Sequence, residues 1–384
     1  MLAPPLATIV VVGAGLSGLT SVLALISLIQ SSPSHPPTRI HVLEASAAPG
    51  GRLKSDCGGA DLGAAWSWPT DRRLHSLAKE LNVSLLPQPW EGVVSEILPS
   101  NQVTKHPARE GEVACGEGGL RFQGGAHSLV EGLVREIESR AAGDPRVNVT
   151  MHAGSACTGV AEAEAGTGLE VRASSNATQT DELLAADAVI LALPPHAIAA
   201  KIQFEPPLPQ SLKDSMLSTQ TWMFNMGKAT VTFDRPFWRD KGFSGTAQGG
   251  SVFDITWDNS YSGTYAIAGF LTGGDGGGDS PGSLFEPART VDERILGDIA
   301  KWFGEEGKTG VVTRQTWDAS AMYGHEAHPP SGHHNYGATK KLPLRNVFVA
   351  GTESEDEHGH MEGAVRAGER AARQAFAATD TGTS

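Results

Sequence analysis

Short runs of consecutive apolar residues recur along the chain, and between them apolar positions return every three or four residues. The first run, Thr8–Val12, predicts a buried strand, and the apolar stretch from Leu16 to about Ile29 predicts a helix. Ile40–Leu43 predicts a second strand, ended by Glu44. Helical spacing returns over Asp71–Leu81 and, after Gln123-Gly124-Gly125, over Ala126–Ala141. Leu85–Val103 reads as short strands or loops, and Lys105–Gly119, polar with glycines, as a loop. Val147–Met151, Ala156–Glu162 and Leu169–Ala173 predict an antiparallel meander. Asp187–Leu193 is apolar enough for a strand covered on both faces, closed by Pro194-Pro195.

A second region begins near Ile198 and passes through the rigid link Glu205–Pro209. Ala229–Phe233 and Ala266–Leu271 predict strands joined by Trp- and Gly-rich connections, Gly273–Gly282 a loop, and Val291–Phe303 an amphipathic helix. Asn346–Ala350 is another buried strand, followed by a helix over Gly363–Ala377. This order predicts the α/β class: a Rossmann-like domain on a parallel sheet with a discontinuous α+β substrate domain. The expected division assigns 1–70, 119–196 and 345–384 to the nucleotide-binding domain, and 71–118 and 197–344 to the substrate domain.

Composition narrows the classes. The chain has 384 residues, enough for two domains and a sizeable core, and its 40% hydrophobic and 19% charged residues are ordinary for a globular protein. A net charge of −13 argues against nucleic acid or an anionic membrane as partner. Cys57, Cys115 and Cys157 are odd in number and lack CxxC spacing, which fits free thiols in a reducing compartment. The Leu16–Ile29 stretch is shorter than a membrane span, no basic residue precedes it, and the tail 371–384 carries neither anchor nor peroxisomal tripeptide. A soluble, cytoplasmic protein is expected.

The chemistry begins at the first strand. Gly13-Ala14-Gly15-Leu16-Ser17-Gly18 lies between that strand and its helix. Gly13 permits the turn, Gly15 lets backbone approach a pyrophosphate, and Gly18 lets helix and strand close up, with the helix N-terminus aimed at phosphate. Glu44 stands where a carboxylate accepts bonds from ribose hydroxyls, although the spacing from Gly18 is 26 residues. The excess is the Pro/Ser loop Ser31–Thr38, an insertion of small entropic cost.

Longer motifs follow in order: VVVGAGLSGL (10–19), VLEASAAPGGR (42–52), DLGAAWSWP (61–69), FQGG (122–125), ADAVILALPP (186–195), FEPPLP (204–209), GKATVTFDRPFWRDKGFSG (227–245), VFVAGTESE (347–355) and HMEGAVRAGERAA (360–372). In this set the chain resembles the flavin-containing amine oxidases, the monoamine and polyamine oxidase superfamily, in a short-chain form marked by HPPSGHHNYG (328–337). The resemblance covers nearly the whole length. It implies FAD, with Gly13, Gly15, Leu16, Ser17 and Gly18 at the phosphates and Glu44 with Ala45 at the adenosine. It puts Gly50, Gly51 and Arg52 at the pyrophosphate and flavin edge, and Gly63, Ala64, Ala65 and Trp66 along the isoalloxazine. Cys157 falls near the adenine, Gly351, Thr352 and Glu353 near the ribityl chain and pyrophosphate. Gly359, His360, Met361 and Ala364 open a helix toward the pyrimidine ring, where a helix dipole stabilises negative charge on reduced flavin.

The implied reaction is removal of a hydride from an amine α-carbon to flavin N5. The imine hydrolyses to an aldehyde or ketone, and O2 is reduced to hydrogen peroxide. Lys228, after Met226-Gly227, matches the family lysine that holds a water against N5; by position alone it reads as a solvent-facing strand residue. Three departures bear on this. No cysteine lies between Trp317 and Pro329, so FAD is expected to be noncovalent, with Tyr323 or a neighbour in that stretch. The paired tyrosines that flank an amine are replaced: His360 stands at one position and the other falls near Gly324. His360 is then a catalytic or stacking candidate, with Trp66, Trp317, Tyr323 and Tyr336 as substrate-pocket rings. Third, the segment between Trp90 and Gly124 is short, so the pocket is either more open or closed by another chain. The alternatives are an FAD-dependent desaturase or dehydrogenase on a larger substrate, and a flavin-binding scaffold without catalysis. No metal is expected, since His325, His328, His333, His334, His358 and His360 match no zinc spacing.

Overall fold

The computed structural model describes residues 6–56, 58–163, 168–175, 181–224, 226–261, 263–271, 288–317, 335–355 and 360–380. Its centre is a five-stranded sheet in the order Val347–Val349, Ala188–Leu191, Ala7–Val12, Thr38–Glu44, Val147–Ala153, with every pair parallel. Thr38–Glu44 is added on one side of Ala7–Val12 and the later Ala188–Leu191 on the other, so the crevice at its carboxyl end is a ligand position.

Period-two alternation divides the central strand between two cores. Ile9 and Val11, with Ile40 and Val42, face the helices Leu16–Ser31, His127–Gly143 and Met361–Thr379. Val10 and Val12, with Leu43, Val189 and Leu191, face a second sheet in the order Asp181–Ala186, Leu169–Ser175, Ser155–Glu162, Gln203–Glu205. Ile198, Phe204 and Met216, which the sequence division puts in the substrate domain, pack in this second cluster.

The predicted three-strand meander is corrected here. Val147–Ala153 leaves it and pairs in parallel with Thr38–Glu44, from Thr38↔Val147 to Glu44↔Ala153. The antiparallel unit is instead completed by Asp181–Ala186, which pairs with Leu169–Ser175. The predicted 105–119 loop likewise begins within a strand, Val103–Pro107, which pairs with Val93–Ile97. The predicted Gly273–Gly282 loop lies outside the described residues.

A seven-stranded sheet runs in the order Val311–Thr316, Gly227–Phe233, Tyr265–Leu271, Phe253–Asp258, Phe243–Gln248, Val93–Ile97, Val103–Pro107. Val291, Ile295, Ile299 and Trp302 return at helical spacing along Ala288–Phe303 and share a core with Ala229, Val231 and Ile267. A small antiparallel sheet sets Trp66 opposite Arg121. No helix among the described residues is long and apolar enough to cross a membrane.

Candidate active site

The glycine loop closes against the end of the Ala188–Leu191 strand. Gly13 has φ +97°, and a Cβ there would meet Ala192 O at 2.8 Å, so only glycine fits the turn. A Cβ on Gly18 would collide with Gly13 O. Gly15 differs: its nearest neighbours to an added Cβ are Gly50 O and Gly51 Cα at 3.9 Å, so a side chain there would project into an open cradle. Gly15 is also the N-cap of Leu16–Ser31 and gives it no side-chain capping bond, which leaves first-turn amides for a ligand. The Ser17 hydroxyl donates to Ala350 O and binds this helix to the late strand.

Glu44 is buried, and its carboxylate accepts from Ala14 N at 2.7 Å and Ser46 N at 2.8 Å. It braces the loop from below and retains lone pairs for hydroxyl donors. Ala45 beside it is exposed. Gly50 N donates to Ala14 O at 3.0 Å, which places Gly50-Gly51-Arg52 along the rim. The Arg52 guanidinium forms a two-pronged pair with Glu353 at 2.6 and 3.2 Å. Ala64 N returns to Arg52 O at 3.0 Å, so Gly63, Ala64 and Ala65 continue from that rim. An open glycine cradle at a helix N-terminus, a buried acid and a braced guanidinium fit a pyrophosphate-bridged dinucleotide.

The late wall is Gly351, Thr352 and Glu353, all buried. Thr352 Oγ1 donates to His360 O at 2.7 Å and joins this turn to the N-cap of Met361–Thr379. Met361 is buried and Ala364 partly so, with Ala364 N bonded to His360 O at 3.1 Å. Gly359 lies outside the described residues. Glu362 accepts from Leu74 N at 2.8 Å and so satisfies the start of Arg72–Glu80, a fixed role for a buried acid of that helix.

Lys228 is not the solvent-facing strand residue its position alone would suggest: it is 3% exposed. Its Nζ donates to Gly63 O at 2.6 Å and lies 5.5, 5.1 and 5.5 Å from the ring centroids of Trp66, Trp257 and Phe270. Burial pushes the ammonium down to about 8, opposed by Asp61 and assisted by Arg121. Asp61 is wholly buried; its carboxylate accepts from Ala126 N at 2.7 Å and from the Tyr261 hydroxyl. Burial also pushes Asp61 and Tyr261 upward.

His360 stands between two indoles, 5.4 Å from Trp68 and 5.8 Å from Trp222 between centroids. Trp68 is held by its Nε1–H to Cys115 O at 3.0 Å, and the Trp222 amide donates to the Tyr336 hydroxyl at 3.1 Å. Tyr336 is therefore joined to the His360 group. Trp317 is buried beside the Lys228 group, its Nε1–H directed at Leu62 O at 3.4 Å. Tyr323 and Gly324 lie outside the described residues, as do His325, His328, His333, His334 and His358. Cys157 packs in the second core near Leu43, where burial pushes its thiol up to about 12. Cys115 and Cys157 are free thiols, and Cys57 lies outside the described residues.

Sequence reasoning missed Asp61, Arg121, Tyr261, Trp257, Trp68 and Trp222. Asp61 and Trp68 stood inside the quoted DLGAAWSWP motif. Arg121 directly precedes FQGG, and only its pairing opposite Trp66 reveals it.

Putrescine oxidase of Kocuria rosea is 32% identical over 200 residues, 50% of this chain and 40% of that one. Flavin-containing amine oxidase B of Cavia porcellus is 32% identical over 212 residues, 51% and 39%. An L-amino acid dehydrogenase of Synechocystis sp. is 30% identical over 193 residues, 48% and 39%. These alignments span less than half of each curated relative. Among solved structures, putrescine oxidase bound to putrescine superposes with a TM-score of 0.73 at 19% identity, covering 97% of this chain and 100% of that one. Cyclohexylamine oxidase from Brevibacterium oxydans gives 0.74 at 18%, covering 97% and 99%. Such likeness carries the fold: a Rossmann-like nucleotide domain with a second domain attached. Residues 104–375 match the flavin containing amine oxidoreductase family, and the chain belongs to that family.

Proposed function

We propose that this chain is an FAD-dependent amine oxidase. It removes a hydride from the α-carbon of a primary or secondary amine, water hydrolyses the resulting imine to an aldehyde or ketone, and dioxygen leaves as hydrogen peroxide. Bound flavin would supply the hydride acceptor, held without a covalent link. The observation that carries this reading is Lys228 Nζ, seated at 2.6 Å on Gly63 O inside a wall of Trp66, Trp257 and Phe270.

The chain's own residues divide the work. The Gly13–Gly18 loop and the amides of Leu16 and Ser17 would hold the pyrophosphate, with Arg52 across from them. Glu44 would accept from ribose hydroxyls. Lys228, brought down to about 8, can hold or release a proton at Nζ near neutral pH and present it to a water beside the reacting face. The three rings exclude bulk water, and desolvation favours an amine bound as the free base. His360, with Trp68 and Trp222, would orient the amine, in place of a tyrosine pair. The start of Met361–Thr379 would stabilise negative charge developing nearby.

The test is an anaerobic panel of amines and amino acids, scored by bleaching of bound flavin. Air and an artificial acceptor are then admitted to separate samples. Bleaching by an amine followed by peroxide release is expected. A flavin that dithionite reduces but no amine bleaches would sink the reading. Recolouring by the artificial acceptor alone would make it a dehydrogenase.

A further inference from the structure

Lys228 does not sit alone in an apolar wall. Its neighbours across the sheet in register are Phe270 and Gln315, both uncharged. The charges come from elsewhere: Asp61, two residues before the carbonyl that Lys228 binds, and Arg121, opposite Trp66. Both side chains are buried, at 0% and 2% exposure.

The Asp61 carboxylate is held from two sides. Ala126 N donates to it at 2.7 Å, and the Tyr261 hydroxyl donates to its other oxygen. Gly124 and Gly125, at φ +80° and +83°, make the first contact available. A Cβ on Gly125 would lie 2.9 Å from Asp61 Oδ1, so the two glycines of FQGG are what let the amide arrive. The Arg121 guanidinium lies 4.0 Å from the Tyr261 ring centroid. It is pinned by Asp258 O at 3.1 Å, Ser260 O at 3.2 Å and Asn259 Oδ1 at 2.9 Å. Asp258 in turn spends its carboxylate on Arg239 and Trp238. Lys54 reaches the neighbouring strand through Gln315 at 3.4 Å, and Asp56 receives Thr230 Oγ1 at 3.3 Å. Opposite charges are therefore held by backbone and side-chain contacts beside one buried ammonium.

We propose that Asp61 and Arg121 are opposed positioning residues for Lys228: the Asp61 carboxylate holds its ammonium charged on Gly63 O, and Arg121 works against it. Neither touches the reacting atoms. This rests on the reading that Lys228 acts beside a bound flavin, but the charge state of Lys228 is measurable without substrate. Removing the acid favours the neutral amine, and removing the guanidinium favours the ammonium. A purely structural pair would shift both variants alike or neither.

The experiment is a pH titration of the full chain labelled at lysine ¹³Cε, with the Lys228 signal identified by its loss in Lys228→Met. Wild type is expected to turn near 8. Asp61→Asn should turn at least one pH unit lower, about a tenfold change in the charged-to-neutral ratio. Arg121→Met should turn higher. Should Asp61→Asn not fold, Tyr261→Phe removes the hydroxyl that holds the carboxylate and should shift Lys228 downward too. Folded variants with an unmoved midpoint, or both moving in one direction, would overturn the proposal. Failure of the amine panel with opposed midpoint shifts intact would overturn only the function.

Discussion

Arg52 and Glu353, 301 residues apart, meet in a two-pronged ion pair whose carboxylate is wholly buried and whose guanidinium is 30% exposed at the cradle rim. The pair ties the early glycine turn to the late wall, so one contact orients groups from both ends of the chain. Glu353→Gln keeps the shape but removes the charge that aims Arg52. Loss of this charge-assisted, two-pronged pair should cost about 1–3 kcal/mol. Thermal melts with and without FAD should show a lower apo midpoint and a smaller gain on adding FAD. An unchanged FAD-dependent gain would mean that Arg52 does not face the phosphates.

Gly15 and Gly18 separate binding from folding. Gly15 has φ −77°, and an added methyl meets nothing closer than 3.9 Å. Gly15→Ala should therefore leave the apo protein's melting point within about a degree, since an exposed or unobstructed methyl changes stability little. It should still weaken FAD by about tenfold or more, because the methyl fills the cradle. Gly18→Ala drives a methyl into Gly13 O and should destabilise the fold with or without FAD. Equal effects of both substitutions on the apo melt would contradict this division.

What could be read from sequence was local. The Ala7–Val12 strand, its glycine turn and Glu44 announce themselves because each residue type answers a need of its immediate backbone. Val147–Ala153 was misplaced because its partners Thr38–Glu44 lie over a hundred residues earlier, and short apolar alternation suits either pairing. Phe243–Gln248 and Phe253–Asp258 were hidden in Trp- and Gly-rich sequence. Phe243–Gln248 is buried over its first five residues and sets Ser244, Gly245 and Thr246 inside, so it lacks apolar alternation. Phe253–Asp258 does alternate apolar and polar residues, but over only six positions between turn-rich segments. The charges around Lys228 were illegible for another reason. A buried acid such as Asp61 is recognisable only with its partners, and Tyr261 stands 200 residues away.

His41 and His152 offer a test of the nucleotide sheet itself. Their rings meet at 2.9 Å between His41 Nδ1 and His152 Nε2, on adjacent parallel strands. Burial lowers His41 below its usual 6.5, with His152 and Arg39 adding to this and Glu182 opposing it. A histidine lowered in the folded state contributes stability that is present above pH 6.5 and lost as pH falls through its folded value. His41→Gln should flatten the acid limb of the stability curve below pH 6.5 and change little at pH 8. Urea unfolding across that range checks it, and an unaltered acid limb would assign the limb to other groups.

Lys228 should trade stability for chemistry. Its ordinary value is 10.5, and burial brings it to about 8 in the folded chain. Between those values the unfolded chain holds a proton that the folded chain has released, so stability rises with pH. Below pH 8 the full cost of the buried ammonium applies, on the order of 3 kcal/mol at 1.36 kcal/mol per unit. Lys228→Met removes that cost but leaves Gly63 O without its donor, which returns about 1 kcal/mol. The variant should thus be more stable than wild type at pH 7 by about 2 kcal/mol, and the advantage should vanish as pH approaches 10.5. Urea unfolding at pH 7 and pH 10 measures both ends. The same variant should reoxidise reduced flavin more slowly in stopped flow, because no proton can be held at Nζ. A variant less stable at pH 7, with reoxidation intact, would show that the ammonium is neither strained by burial nor used.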